Sequence, residues 1–378
     1  MSSQQPRIEN IANSDDIFTF TLSNVNVSIA NAVRRTVLSD ISTVVFKTSP
    51  QEENTANMIT NTSRMNNEIL KQRLSCIPIH IEKLNAKTID NYLLEVNVEN
   101  NTSDSFVYVT TKDFHIRDIS EDSLLDAETT KTIFPPWIAP DGTEHYIEFA
   151  SLRPKLSDSI PGEKLNFTCK LSYGTSKESA MYNCVSVCSY GCTVDVSEQE
   201  TRLTKLKKDW EKNKLDVKFE EANWRLLEGQ RIILDNSFEF IIQTLGVFTN
   251  VDLIRKACDS IMSRLDHINT LIKTNEELII VADNTMSNSY DIILLNEDYT
   301  IGKVIEYMLY SSIFNVSDDK LLSYCGFKKL HPHDTYSIIR LAYIEETSKE
   351  MIKQNIDVCI LDSIEVFRQI KALFNKID

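Results

Sequence analysis

Two adjacent arginines, Arg34 and Arg35, lie in the stretch SIANAVRRTVLSD and are well suited to recognition chemistry. A guanidinium group can contact nucleic-acid phosphates, clamp a reacting group, or bind carboxylates and carbonyls of another protein. It can equally form a surface salt bridge, which contributes about 0 to 1 kcal/mol. The rest of the sequence indicates which of these uses is most consistent with the protein.

Cysteine and histidine residues suggest two metal sites, but neither has suitable spacing. Cys184, Cys188 and Cys192 repeat every four residues, which in a strand places them on one face but about 13 Å apart per step. Structural zinc usually uses close cysteine pairs at two corners of its site. The second group combines Cys325 with the histidines of residues 331–333, and a strand that starts at a proline explains it. We therefore expect no metal and no cofactor.

Motifs for catalysis are missing from the sequence. The chain has only 8 glycines and contains neither GxGxxG nor GxxxxGK[ST], which argues against a dinucleotide-binding or nucleotide-hydrolysing enzyme. Metal-dependent nucleotidyl transfer needs clustered carboxylates, and the sequence has no Asp-x-Asp pair. We expect no catalytic residues, so any reaction would take place on other chains.

Length and charge limit the remaining classes. A chain of 378 residues with 42% hydrophobic and 25% charged residues is typical of a globular protein with two or three structural units. Its net charge of -15 disfavours long-range attraction to DNA. The amino-terminal residues lack a secretory signal, and no apolar run is long enough to span a bilayer, so we expect an intracellular protein with reduced cysteines.

The arginines lie on a predicted helix. Strand-like residues 17–22 precede a helix capped by Asn26 or Ser28, whose apolar positions include Ile29 and Val33. Both arginines point away from that apolar stripe. Residues 47–67 are polar and predict a loop, and residues 68–74 predict a helical turn.

The middle of the chain is rich in predicted strands and ends in a charged helix. Pro-Pro and Asp-Gly or Pro-Gly pairs separate the strands, which are residues 92–98, 106–109, 146–149, 165–171 and 183–190. Residues 197–214 form the helix, and its lysines indicate a solvated face.

The last part of the chain repeats the organisation of the first. A strand at 238–245 and a helix beginning near Thr249 or Asn250 are followed by a polar joint, 269–277, and two strands, 278–282 and 290–295. Thr300 is then predicted to cap a helix. The ten residues from Thr300 and the ten from Ser28 share a hydroxyl cap, an Ile, a small residue and matching apolar positions, a short match that arises by chance about as often as by homology. The terminal helix has an apolar seam from Ile356 to Ile377. Its apolar residues are spaced alternately by four and three positions, which is typical of a helix that packs along its length.

The stretches LSNVNVSIANAVRRTVLSD and NTSRMNNEILKQRLSCIPIHI resemble the assembly subunit of RNA polymerase, namely bacterial alpha, archaeal D and the third-largest subunit of eukaryotic RNA polymerase II. The tail, with NEDYTIGKVIEYML and YCGFKKLHPHD, is similar to the small partner subunit, although Tyr299 and Lys303 replace its usual His and Asn. A fusion of the two resembles the polymerases of nucleocytoplasmic large DNA viruses.

The resemblance implies an α+β fold with two dimerisation domains that pack as an internal pseudo-dimer. Residues 1–46 and 229–274 would form the first dimerisation domain, 47–228 a β-rich insert, and 275–378 the second, smaller one. The implied subunit-interface residues are Asn31, Arg34, Arg35, Glu68, Arg73, Thr300, Gly302, His331, Ile360, Phe367 and Phe374.

The implied function is a non-catalytic assembly platform of a DNA-directed RNA polymerase. Its partners would be the two largest subunits and small polymerase subunits, with DNA reached only through the complex, no membrane and no homodimer. The implied location is the virion and host cytoplasm for a viral protein, and otherwise the nucleus. The alternative is a nucleic-acid-binding accessory protein that uses the lysines of residues 205–214; an enzyme with an unrecognised site is a third possibility.

Overall fold

The computed structural model describes residues 5–14, 16–81, 89–157, 159–315 and 320–377. These residues form two compact units. Unit 1 consists of Met1–Leu38, Val187–Gln243 and Asn250–Asp378, and unit 2 of Ser39–Ser186 and Thr244–Thr249. This grouping differs from the predicted domains, because residues 187–228 and 275–378 both fall in unit 1. None of the helices in the described ranges combines the length and hydropathy that a membrane span requires.

Unit 2 is built around one long strand, β12. Its sheet has the order β3-β12-β5-β7-β8, with β4 also paired to β12. Two further two-stranded sheets pair β11 with β6 and β10 with β9. In the part of unit 2 that the structure describes, the longer helices are α2 (Asn67–Ser75) and α3 (Ala127–Ile133). The strands are β3 (Ser42–Phe46), β4 (Ala56–Asn61), β5 (Tyr92–Glu99), β6 (Val107–Thr110), β7 (His115–Asp118), β8 (Ser123–Leu124), β9 (Trp137–Ile138), β10 (Glu144–His145), β11 (Glu148–Leu152) and β12 (Lys164–Thr175).

Packed aromatic rings hold the core of unit 2 together. Phe114 lies edge-on to Phe134, Phe149 and Phe167, with ring centroids 5.5 to 6.3 Å apart. Each of these rings is buried. The alternation of buried and exposed residues along β12 places its apolar face on this core.

Unit 1 contains two four-stranded sheets with matching strand orders, β1-β2-β14-β13 and β15-β16-β18-β17. The strands of the first are β1 (Arg7–Ser14), β2 (Ile17–Ser23), β13 (Val185–Val194) and β14 (Ile233–Thr244). Those of the second are β15 (Ile279–Val281), β16 (Ser289–Leu295), β17 (Leu322–Lys328) and β18 (Tyr336–Tyr343). Strand β2 pairs antiparallel with β1 and β14, β16 pairs antiparallel with β15 and β18, and β17 pairs antiparallel with β18.

Six helices complete unit 1. They are α1 (Val27–Ser39), α4 (Val196–Lys212), α5 (Val217–Leu226), α6 (Asn250–Thr274), α7 (Tyr299–Leu309) and α8 (Lys349–Phe374) in the described part of the chain. The structure makes three corrections to the sequence predictions. The predicted loop 47–67 contains β4, and the predicted joint 269–277 is largely the last turn of α6. The cap of α7 is Asp298, not Thr300, because the Asp298 Oδ1 accepts a hydrogen bond from the Thr300 N–H at 2.9 Å.

Residues with positive φ occur at equivalent positions around the second strand of each sheet. Asp16 and Asn288 both have positive φ, and they precede β2 and β16 directly. Asn24 and Asn296 also have positive φ and follow the same two strands directly. Asparagine and aspartate tolerate this left-handed region better than other residues with a Cβ. The strand-to-helix segments before α1 and α7 therefore begin with a left-handed asparagine at the same position.

The same correspondence extends to the later elements. Ile17, the first residue of β2, pairs with Gln243 of β14, and Ser289, the first residue of β16, pairs with Ala342 of β18. From these partners the chain runs the same number of residues to the start of α6 and of α8. Each sheet is thus followed by a long helix at an equivalent position.

Truncation of Phe374 should destabilise unit 1. Its buried ring lies edge-on to Phe20 with centroids 5.0 Å apart, so Phe374→Ala removes a large core side chain and should lower the free energy of unfolding by about 3 to 5 kcal/mol. Urea unfolding followed by tryptophan fluorescence in a Trp137→Phe background reports on unit 1, which contains the other two tryptophans, Trp210 and Trp224.

Val358→Ala is the matched control, because Val358 lies on the same helix with 56% of its surface exposed. We expect a change of about 0.5 kcal/mol or less for this variant. Equal losses for the two variants would contradict the assignment of Phe374 to the core.

Candidate interface site

Helices α6 and α8 pack against each other through buried apolar residues. In α6 these include Leu253, Ile261 and Leu265. In α8 the predicted seam residues Ile360, Phe367 and Phe374 are all buried, together with Ile352, Ile356, Ser363 and Ile370. The period read from the sequence matches the buried face of α8.

Polar contacts at one end of this pair fix its direction. The Arg255 Nη2 donates to the Phe374 carbonyl oxygen at 2.7 Å, so the first turns of α6 lie beside the last turn of α8. One turn further along α6, Asp259 accepts from the Lys371 Nζ at 2.7 Å. The two helices therefore run antiparallel.

The other end of the pair is held by Asp357 of α8. Its Oδ1 accepts from the Asn269 Nδ2 at 2.7 Å and lies 2.6 Å from the Lys273 Nζ. Hydrogen bonds from Lys273, and then from Asn269, hold the pKa of Asp357 below its ordinary value. Two of the polar residues that predicted a joint at 269–277, Asn269 and Lys273, thus contact α8.

Arg35 of α1 makes contacts inside unit 1. Its Nε donates to the Thr300 Oγ1 at 2.8 Å, and its Nη2 lies 3.3 Å from the Asp298 Oδ2. Thr300 is buried, whereas the Arg35 side chain is 39% exposed. The structure thus brings together two predicted site residues from opposite ends of the sequence.

A second arginine holds the same loop. The Arg264 Nε of α6 donates to the Glu297 Oε1 at 3.2 Å, and its Nη2 donates to the other carboxylate oxygen. The side chains of Arg264 and Glu297 are only 20% and 10% exposed. A bidentate pair this well shielded from water is more directional than a surface salt bridge. Arg35 and Arg264 therefore fix the start of α7.

Arg34 differs from its neighbour. Both its Nε and its Nη2 donate to the Asn31 Oδ1 on the same helix, at 3.0 and 2.8 Å. Asn31 therefore holds the guanidinium group in one orientation, and the side chain remains partly exposed. Arg34 is therefore held by its own helix, whereas Arg35 contacts Asp298 and Thr300.

Gly302 and His331 shape the second sheet and its connections. A Cβ on Gly302 would lie 2.0 Å from the Phe327 ring, so the glycine lets α7 approach β17 closely. His331 is exposed; its backbone N–H donates to the Asp334 Oδ2, and its Nδ1 accepts from the His333 backbone N–H. These bonds build the turn between β17 and β18.

Glu68 and Arg73 belong to unit 2. Arg73 attaches α2 to β11, because its Nε donates to the Phe149 carbonyl at 2.8 Å and its Nη2 to the Glu148 carbonyl at 2.7 Å. Glu68 is exposed in the first turn of α2, where a negative charge favours the helix dipole.

Two of the cysteines considered as metal ligands, Cys188 and Cys325, are poorly suited to form thiolates. Burial raises the pKa of Cys188 to about 12, and the positive charge of Arg34 opposes this effect only in part. Burial likewise raises the pKa of Cys325 to about 12. Within the described ranges, no three His, Cys, Asp or Glu side chains are grouped so that they could hold a metal ion.

Sequence reasoning missed several residues of this site. Glu297 and Asp298 belong to the motif NEDYTIGKVIEYML, and the sequence analysis did not predict them as interface residues. Two adjacent acids before a helix are nevertheless an expected target for arginines. Arg255 and Arg264 lie on α6 beside the apolar stripe. Their partners, the Phe374 carbonyl and Glu297, are distant in sequence, so no local pattern predicts these contacts. The pairing of Asp259 with Lys371, one turn from the contact of Arg255 with Phe374, can be recognised only when the antiparallel alignment of α6 and α8 is known.

Comparison with known proteins adds a family and one relative. The family model described as RNA polymerase Rpb3/Rpb11 dimerisation domain matches residues 19–265, which is more than half of the chain. The conjugation stage-specific protein of Tetrahymena thermophila is 22% identical over 300 residues, which cover 68% of this chain and 91% of that protein. The second sheet and α8 lie beyond the family match.

The contact of Asp357 with α6 should give unit 1 a defined pH dependence. Its folded-state pKa is lowered from 3.8, so its contribution to stability is present above that value and is lost as pH falls through the lowered pKa. We expect Asp357→Asn to lower Tm near neutral pH. Thermal unfolding at successive pH values should show that the Tm difference between Asp357→Asn and the unmodified chain becomes smaller below pH 3.8.

Asp362→Asn, an exposed position on the same helix, is the control and should leave Tm nearly unchanged at neutral pH. A difference for Asp357→Asn that stays constant down to the most acidic pH would contradict the assigned contact.

Proposed function

Because the chain belongs to the RNA polymerase Rpb3/Rpb11 dimerisation domain family, we propose that it is the assembly platform of a multisubunit DNA-directed RNA polymerase. The family domain is a structural one that associates with other polymerase subunits. In the proposed platform, the two halves of unit 1 take the roles of two pairing subunits. The large catalytic subunits then dock on the paired surface.

The observation that best supports internal pairing is the antiparallel contact of α6 with α8. Each helix follows an antiparallel sheet of the same strand order, so the arrangement has the form of an isologous dimer interface within one chain. Joining the halves gives them an effective concentration on the order of mM, which favours pairing in dilute conditions.

Arg34 is the proposed contact for the second-largest subunit. Asn31 fixes its guanidinium group, and a fixed planar fork loses little freedom when it binds a carboxylate or a pair of carbonyls. Arg35, by contrast, is engaged with Asp298 and Thr300. Reversing both charges together would therefore disturb an internal contact as well as the proposed docking contact, and the two arginines must be changed separately.

No specific observation favours the alternative of a nucleic-acid-binding accessory protein. In the helix predicted to contact nucleic acid, Lys207 pairs with Glu221 at 2.7 Å, and acidic residues are interspersed among the other lysines. A surface of mixed sign does not favour a phosphate backbone.

We expect Arg34→Glu to leave the chain folded but to lower recovery of the second-largest polymerase subunit about tenfold or more in a tagged pull-down from co-expressed subunits. Asn31→Ala should give a smaller loss, because it frees the arginine without removing its charge. Arg368→Glu is the matched control, since Arg368 is exposed on α8 and pairs with Glu365 of the same helix. Undiminished recovery with Arg34→Glu would overturn the docking role.

The cellular setting belongs to the same proposal. The resemblance of the fused chain supports a polymerase of a nucleocytoplasmic large DNA virus, which would act in the virion and the host cytoplasm. Mass spectrometry of purified virions should detect this chain together with the large polymerase subunits. Its recovery only from the nuclei of uninfected cells would overturn the viral assignment and leave the platform role to be judged by the pull-down.

A further inference from the structure

A groove in unit 1 lies outside the α6–α8 pair. It has a volume of about 400 Å³ and is formed by α4, α5 and the turn at residues 228–231. Its lining residues are Arg202, Lys205, Leu206, Trp224, Glu228, Arg231 and Ile232. We propose that this groove binds an acidic peptide segment of a partner protein, anchored by an apolar side chain.

The walls of the groove are already in place. The buried Gln199 donates from its Nε2 to the Gly229 carbonyl at 3.1 Å, which ties α4 to the turn. Gly229 also lies tightly against Trp224, because an added Cβ would be 3.1 Å from the indole ring. A backbone hydrogen bond from Asp195 to Ile232, at 2.9 Å, closes the base. A site that is formed beforehand loses little entropy on binding.

Ion pairs hold α5 against α4 on the wall that includes Trp224. Glu221 lies 2.7 Å from the Lys207 Nζ, and Arg225 lies 2.8 Å from Glu200. Leu206 and Trp224 line the groove between these helices together with Ile232. The groove therefore has a stable apolar floor.

The rim of the groove is positively charged. Arg202, Lys205 and Arg231 line the groove together with one acid, Glu228. Arg231 pairs with Glu228 at 2.9 Å and Arg202 pairs with Glu198 at 2.8 Å. These four side chains are each at least 45% exposed, so both are weak surface pairs that leave the cations accessible to a ligand. A ligand that presents carboxylates to these three cations and an apolar side chain to Trp224 matches both features. This charge complementarity is the reason for choosing an acidic segment.

The exposure of α5 is consistent with a covering partner. None of its ten residues is buried, and a helix this short is marginal without packing. A bound segment would bury part of Trp224 and shield the ion pairs on the same wall from water.

A protein segment fits the groove better than nucleic acid does. Residues 196–226 contain nearly as many Asp and Glu as Lys and Arg, and the chain has a net charge of -15. Non-specific nucleic-acid binding needs a run of phosphate contacts, whereas the groove gathers only three cations around an apolar floor. Nucleic acid is therefore an alternative outcome of the test.

Fluorescence anisotropy with the full chain tests the proposal. The probe is a short labelled peptide in which Asp and Glu alternate with Leu and Phe, compared with the peptide in which Lys replaces each acid and with a labelled oligothymidylate. We expect the acidic probe to bind, and Lys205→Glu with Arg231→Glu to weaken binding about tenfold or more.

Lys208→Glu with Lys212→Glu is the matched control, since it makes the same charge change on α4 outside the groove lining and should leave binding within about twofold. In a Trp137→Phe, Trp210→Phe background, Trp224 is the remaining tryptophan, and its emission should shift when the acidic probe binds. Circular dichroism verifies that each variant is folded.

Four results would overturn the proposal. The first is no binding of the acidic probe, and the second is equal binding of the acidic and basic probes. The third is tighter binding of the oligothymidylate with a steep loss in salt, which would assign the groove to nucleic acid instead. Equal weakening by the two double variants would also place the contact elsewhere on α4.

Discussion

Unit 1 depends on helix α8 filling the space beside both of its sheets. Near its start, the Asn355 Nδ2 donates to the Tyr343 hydroxyl of β18 at 3.1 Å. At its end, the Phe374 ring packs edge-on against Phe20 of β2. Between these points, its apolar face lies along α6. A single helix thus links the first strands of the chain to the last, and burial of its seam is the main apolar contribution to that link.

Polar contacts give this apolar packing its register. An apolar seam alone would tolerate a shift of one turn, whereas Asp259 with Lys371 and Asp357 with Lys273 allow only one alignment. The buried pair of Arg264 and Glu297 adds direction rather than much net stability, because desolvation offsets most of its attraction. The two adjacent arginines on α1 have different roles: Arg35 helps to hold the start of α7, and Arg34 is oriented by Asn31 of its own helix.

Much of the fold was predictable from periodicity. The strand before α1, the α1 and α8 helices and the seam with Ile360 and Phe367 follow directly from the spacing of apolar residues. Strand β4 was missed because its residues do not alternate clearly; pairing with β12 creates it. The helix α6 was predicted too short because Asn269 and Lys273 are polar, yet they face α8.

The candidate site was predictable only in part. Residue type and family resemblance selected Arg34, Arg35 and Thr300, but not which arginine contacts Thr300. That assignment depends on a contact between residues far apart in sequence, which no local pattern encodes. Gly302 was chosen by resemblance, and the close approach of the Phe327 ring supplies the physical reason for a residue without a Cβ.

Because α6 and α8 are encoded in one gene, every change on either helix is inherited together with its counterpart. A substitution at Asp259 can be compensated at Lys371 without waiting for a second locus, so the two faces are free to diverge in sequence while they remain complementary. This freedom accounts for two helices that begin at equivalent positions and have nearly equal length, yet share few polar residues. Selection would then act on the fit between the helices rather than on the identity of either one.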